Sequence, residues 1–299
     1  MTEIFIFNVA KLAVKSVINV AALYPKPGLL TPLTKSALDG TDFFTLNDGA
    51  MALFQCFVNC GAVGSDTENM KPEEAYSILK SPLKIGMQDV LQATRGKISL
   101  RGHIFFMGLI TAAAGRLIAQ RRILTPGALV LAASSFVRGI VQRELWGIDE
   151  NNNPDKARTA GERAYINYGF EGCRGEAEKG FPIVLAALAL LRELEATQSQ
   201  LDFREHGVHI FISIMSELND TAIAANNGIS ELLRVQKEAK KIMDLGGGLT
   251  MDGTQQIFEF CKDLDKKGIS PKGSALILAT AFFIKGITEL KQTRSGYSN

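Results

Sequence analysis

The chain has 299 residues, enough to bury a substantial core as one large domain or two modest ones. Hydrophobic residues make up 46% and charged residues 21%, which excludes an intrinsically disordered chain. A formal net charge of +2 gives no global drive toward nucleic acid or an anionic membrane, so any attraction for a polyphosphate must be local.

The N-terminal stretch is apolar, but Glu3 precedes the apolar run and Lys11 and Lys15 interrupt it. That pattern predicts a packed amphipathic helix over 4–23 and not a membrane span. No small-residue cleavage site stands out, so the cytoplasm is the expected compartment. Cys56, Cys60, Cys173 and Cys261 form no disulfide framework and no C-x-x-C pair, and read as reduced, mostly buried thiols.

Apolar residues recur at three- and four-residue spacing between glycines and prolines. The spacing predicts helices near 4–23, 46–61, 72–80, 84–95, 103–120, 126–146, 156–168, 182–196, 204–218, 229–244, 253–266 and 272–290. No segment alternates apolar and polar residues as a strand would. The expectation is an all-α protein of about twelve helices, with 1–299 forming a single domain. Gly64–Pro72 and Asp149–Asp155 read as exposed loops, the second with a turn at Asn151 to Pro154, and the tail from Lys291 to Asn299 reads as frayed.

Several pieces could carry chemistry. Tyr24-Pro25-Lys26-Pro27-Gly28 ends the first helix and holds Lys26 between two prolines, as a phosphate contact or as a surface lysine in a turn. Asp39 and Asp42 suit a metal, or Asp42 a helix cap. Arg101-Gly102-His103 opens a helix, a natural setting for phosphate. The stretch 156–184 reads as a helix, then a glycine-rich loop with Glu171, Arg174, Glu176, Glu178 and Lys179, then a helix from Pro182. Such a loop can hold an anion or a hard cation, or can simply stay solvated. Asp220 and Thr221 lie at a helix junction, Asp244 precedes a glycine helix end, and Ser270-Pro271 opens the last helix. His206 and His209 lack a third metal ligand nearby. The chain has no G-x-x-x-x-G-K-[ST] loop, G-x-G-x-x-G turn or G-x-S-x-G elbow, which argues against P-loop phosphotransfer and serine hydrolase chemistry.

The run TAGERAYINYGFEGCRGEAEKGFPIV at 159–184 resembles the central motif of the triphosphoribosyl-dephospho-coenzyme A synthase family, which serves the prosthetic group of citrate lyase and, in relatives, of malonate decarboxylase. YPKPGLL at 24–30, RGHIFFMG at 101–108, the DT pair at 220–221, MDLGGG at 243–248 and SPKGSA at 270–275 follow the family's order. The resemblance implies an all-α transferase that joins ATP to 3′-dephospho-coenzyme A, releases adenine and makes 2′-(5″-triphosphoribosyl)-3′-dephospho-coenzyme A. It implies Mg2+, with Glu176 and Asp220 as ligands, and Glu176, Glu171 and Asp220 as catalytic candidates near the reacting ribose. It gives Lys26, Arg101, Arg174 and Lys179 to phosphates, with Ser270, Gly273 and Ser274 donating at the start of the last helix. This chain departs from the family pattern at Thr31, Leu38, Gly40, Leu100 and Leu276, where the family carries histidine or aspartate, and at Lys272, where glycine is usual. Those departures keep open a ribosyl transferase with another acceptor, or a nucleotide-binding member without catalysis. No nucleic-acid or membrane partner is expected, and a homo-oligomer is left open.

Overall fold

The computed structural model describes residues 2–36, 38–146, 148 and 159–290. Among them the protein is all helical, as the spacing predicts, with no strand.

Helix α1 (Thr2–Ala22) buries Ile6, Val9, Ala13, Val17 and Val20, and leaves Lys11 and Lys15 exposed. Its apolar stripe packs against α2 (Phe43–Asp66) and α13 (Lys272–Glu289), the last described helix. Both α1 and α4 (Arg101–Ala119) are long and apolar enough to cross a membrane, yet half of the apolar window of α1 and 72% of that of α4 is buried inside the protein.

Helices α2 and α4 form the densest crossing. Small residues permit it. A Cβ on Gly64 would lie 1.9 Å from the Ala112 carbonyl oxygen, and one on Gly115 would lie 2.1 Å from that of Gly61. Around the crossing, Leu53, Phe57, Leu109 and Ile110 are fully buried.

Sequence spacing predicts two helices near 72–80 and 84–95, but α3 (Pro72–Ala93) runs straight through Pro82. An interior proline normally ends or kinks a helix. Here Pro82 is buried, its carbonyl accepts from the Cys56 thiol at 3.4 Å, and Gly86 leaves room for Cys56. Packing on α2 carries the helix across the break.

The helix expected over 126–146 is also corrected. Helix α5 (Pro126–Phe136), capped by Thr125, stops before Gly139, which is left-handed at φ +72°. A π-helical turn, Gln142–Trp146, follows. The Glu178 carboxylate holds this break by accepting from the Gly139 and Val141 N–H groups, at 2.5 and 3.0 Å.

Helix α6 (Ala160–Tyr168) begins at a capping box of Thr159 and Glu162 and ends at left-handed Gly169. Residues 156–158, where the predicted helix begins, lie outside the described residues, as do the predicted turn at Asn151–Pro154 and the tail 291–299. The glycine-rich loop is in fact partly helical, forming α7 (Gly172–Glu178). Then come α8 (Pro182–Thr197), α9 (Phe203–Glu217), the short α10 (Thr221–Asn227), α11 (Ile229–Asp244) and α12 (Met251–Lys267), ahead of α13. The expected exposed loop at Gly64–Pro72 is shorter than predicted, because α2 reaches Asp66. Arg116 then pins the connection by donating to the Thr67 and Met70 carbonyls. All four cysteines are free thiols; Cys56 and Cys60 are buried, while Cys173 and Cys261 are partly so.

Lys26 turns inward. It is only 4% exposed, and its ammonium donates to the Val20 and Ala21 carbonyls, capping the C-terminus of α1. Burial pulls its pKa down to about 7. A lysine lowered on folding contributes stability that is complete above its unfolded value, near 10.5, and lost as pH falls through about 7. The Tm of wild type should therefore rise relative to that of Lys26→Met as pH rises from 6.5 to 9, because only the wild type loses a buried charge. A constant gap between the two would refute this.

Candidate active site

The segments around α7, the α9–α10 junction and the start of α13 enclose a cavity of about 430 Å³. Its polar lining includes Glu171, Glu176, Lys179, Glu217 and Asp220, and its apolar floor Phe106, Ile183, Leu276 and Ile277. The volume is in the range of small-molecule sites. Two glycines make room for the polar groups. A Cβ on Gly175 would meet the Glu171 carboxylate at 2.2 Å, and one on Gly273 would sit 3.0 Å from the Asp220 carboxyl carbon.

Each carboxylate has its own partners. Glu176 Oε1 accepts from the Ile183 and Val184 N–H groups, at 2.7 and 3.1 Å, and so caps α8. Phe181, at the N-cap position, is left-handed and has no side-chain oxygen to serve there. Burial pushes the Glu176 carboxyl up, partly offset by those two hydrogen bonds. Its Oε2 makes no hydrogen bond among the described residues.

Asp220 is 2% exposed and sits between two helix N-termini. Oδ1 accepts from the Ala222 N–H at 3.0 Å, capping α10; Oδ2 accepts from Ser274, N–H at 3.0 Å and Oγ–H at 3.3 Å, capping α13. Burial raises its pKa, and these donors oppose the shift. Asp220→Ala should cost about 3 kcal/mol, since it leaves two caps and a buried hydroxyl unpaired. Asp220→Asn should cost roughly half as much, because its amide offers an acceptor oxygen to one helix only. Chemical denaturation of the two variants measures the difference, and equal losses would contradict the two-helix role.

At the rim, Lys179 is 64% exposed and pairs with Glu171 at 2.5 Å. Arg174 points elsewhere. Its guanidinium lies 2.7 Å from Glu144 on the π-turn and 3.8 Å from Glu162 on α6, and it does not line the cavity. Arg163 donates to Asn226 at 2.9 Å. Arg101 opens α4 exposed and without an ion pair among the described residues; its neighbour Gly102 packs on Leu276 and Cys173 at the cavity. His103 follows, and burial lowers its pKa to about 4.

Of the sequence-predicted site residues, Glu171, Glu176, Lys179, Asp220 and Gly273 share the cavity. Ser274 is joined to it through Asp220, while Lys26 and Arg174 are turned to other partners. Ser270 is buried with its Oγ unpaired. Asp42 caps α2 through the Thr45 N–H at 2.8 Å, and Asp39 pairs with Lys272 at 3.0 Å. His206 bonds the Gln198 carbonyl, and no group of three or more metal-ligating side chains occurs among the described residues. Sequence reading missed Phe106 and Cys173 as lining residues. Cys173 faces the cavity with a thiol that burial pushes up to about 12.

Fold and cleft together define an all-helical enzyme that arrays carboxylates around an apolar-floored cleft. Across residues 6–295 the sequence matches the CitG family, ATP:dephospho-CoA triphosphoribosyl transferase, and the chain belongs to that family. It is thus a transferase acting on ATP and dephospho-CoA, tied by its reaction to the citrate lyase prosthetic group. No solved structure matches the chain.

Proposed function

We propose that the ribosyl transfer takes place in the cavity between α7, α8, α10 and α13. One observation carries this reading: Glu176 and Asp220, 44 positions apart in sequence, line one cleft with an apolar floor. In the reaction, the 2′-hydroxyl oxygen of dephospho-CoA bonds to C1 of the ATP ribose. The bond from that carbon to adenine N9 breaks, adenine takes the electron pair, and the triphosphate stays on the transferred sugar.

Glu176 is the residue we assign to the hydroxyl proton. Its Oε1 is fixed by α8, its Oε2 is open, and burial brings its pKa upward, toward the working range of a general base. Asp220 positions α10 and α13 around the substrate and has both oxygens engaged. Lys179 and Arg101 take phosphate charge, Lys179 from the rim and Arg101 from the first turn of α4.

The residues present fit Mg2+ that arrives on a triphosphate. Magnesium needs only one or two protein carboxylates beside phosphate and water oxygens. Glu171, at the rim next to Lys179, supplies one. When bound, the ion would offset the charge of the triphosphate. We place the activity in the cytoplasm, which four free thiols suit.

Purified protein with ATP, Mg2+ and 3′-dephospho-CoA should release adenine and give the triphosphoribosyl adduct by mass. Glu171→Gln should need severalfold more Mg2+ for half-maximal rate, with little change at saturating metal. An unchanged Mg2+ dependence would remove Glu171 from the metal, and absence of adenine from folded protein would sink the site.

A further inference from the structure

A second cavity, of about 400 Å³, lies between the C-terminal half of α4 and α5. It is strongly basic, lined by Arg116, Arg122 and Arg138 beside Ser135, with Leu117 and Leu131 forming an apolar wall. It is separate from the candidate active site: Phe106 lines one cavity and Arg116 the other, about 15 Å apart along α4.

The three arginines differ in their partners. Arg116 is used by the fold, donating to Thr67 and Met70 and lying 5.7 Å over the Phe136 ring. Arg122 and Arg138 are exposed and make no side-chain hydrogen bond or ion pair among the described residues. Glu68 acts on Arg116, but guanidinium groups that share a concave site without an ion pair, as Arg122 and Arg138 do, repel one another and draw in an anion. The planar fork of arginine suits phosphate oxygens. Ser135 Oγ–H is already donated to the Ala132 carbonyl, so its oxygen can accept from a ligand hydroxyl or amide. Leu131, 67% exposed, offers apolar surface beside the charges.

We propose that this cavity is a second phosphate-binding site, which takes a small phosphorylated ligand with an apolar portion through Arg122 and Arg138. The phosphate has two possible sources, a free phosphorylated metabolite or the far end of a bound substrate.

Inorganic pyrophosphate, titrated calorimetrically into the full chain without Mg2+, is the probe. Wild type should show a salt-sensitive site that weakens about tenfold or more in the Arg122→Gln/Arg138→Gln variant. Leu131→Glu, which sets a carboxylate beside the arginines, should give the same loss with an unchanged Tm. If the variants keep wild-type KM values for ATP and dephospho-CoA, the phosphate belongs to a separate ligand; a raised KM with unchanged kcat assigns it to a substrate. Pyrophosphate binding of unaltered affinity and stoichiometry in both variants would overturn the proposal.

Discussion

Glu176→Gln should lower kcat for adenine release by about 10²- to 10⁴-fold, the usual contribution of a positioned base, while the fold stays intact. The substitution separates the two roles of this side chain. A glutamine oxygen can still accept from the Ile183 and Val184 N–H groups, so the cap on α8 survives and stability should stay within about 1 kcal/mol of wild type. Glu176→Ala removes cap and base together and should also lose about 1–2 kcal/mol of stability. The rate–pH profile offers a second check. Burial raises the Glu176 carboxyl, so the acid limb of kcat/KM should lie above the ordinary glutamate range and vanish in the glutamine variant. Near-normal adenine release by Glu176→Gln, at any pH, would limit this residue to capping.

The largest loss of stability is expected at the α2–α4 crossing. A Cβ on Gly64 would stand 1.9 Å from the backbone oxygen of Ala112, and backbone cannot rotate away as a side chain can. Gly64→Ala must push the two helices apart along the most heavily packed seam of the protein. We expect a loss of at least about 3 kcal/mol, the upper part of the overpacking range, and a Tm lower by roughly 6 °C or more. Gly127→Ala is the matching control. Gly127 lies in the first turn of α5, where an added methyl would meet nothing within 4 Å, so alanine there should be neutral or stabilising by up to about 1 kcal/mol. Equal melting temperatures for the two variants would show that the crossing yields more readily than its geometry implies.

How much of this was legible in the sequence depended on range. Helix starts marked by local chemistry were readable, as at Pro182, and so was the all-helical class; Ser270, which reads as the cap of the last helix, leaves that role to the distant Asp220. Features decided by distant partners were not. Nothing near Pro82 announces that packing on Cys56 will carry α3 past the proline, and nothing near Phe136 announces that Glu178 will fasten the break at Gly139. In the candidate site, the motif residues were identifiable but their directions were hidden. Glu176 lies two positions from both Arg174 and Glu178, and on a helix it faces away from that pair, which share a side at four-residue spacing. Arg174 accordingly meets Glu144, Glu176 meets the start of α8, and Glu178 meets Gly139. Read as a loop, the same residues looked like one charged cluster. Lys26 was misjudged for a related reason: the sequence shows a stiff turn, but not that the turn folds back on the carbonyls of α1.

The contact between α1 and α13 bears on how the chain can be made. The apolar stripe of the first helix finds part of its cover on the last described helix. During synthesis the stripe emerges early and meets α2 and α4 first, but the part that faces α13 waits for its cover until residues near 287 have left the ribosome. The core therefore closes fully only after translation of nearly the whole chain, and one side of the first helix lacks its final neighbour through most of elongation.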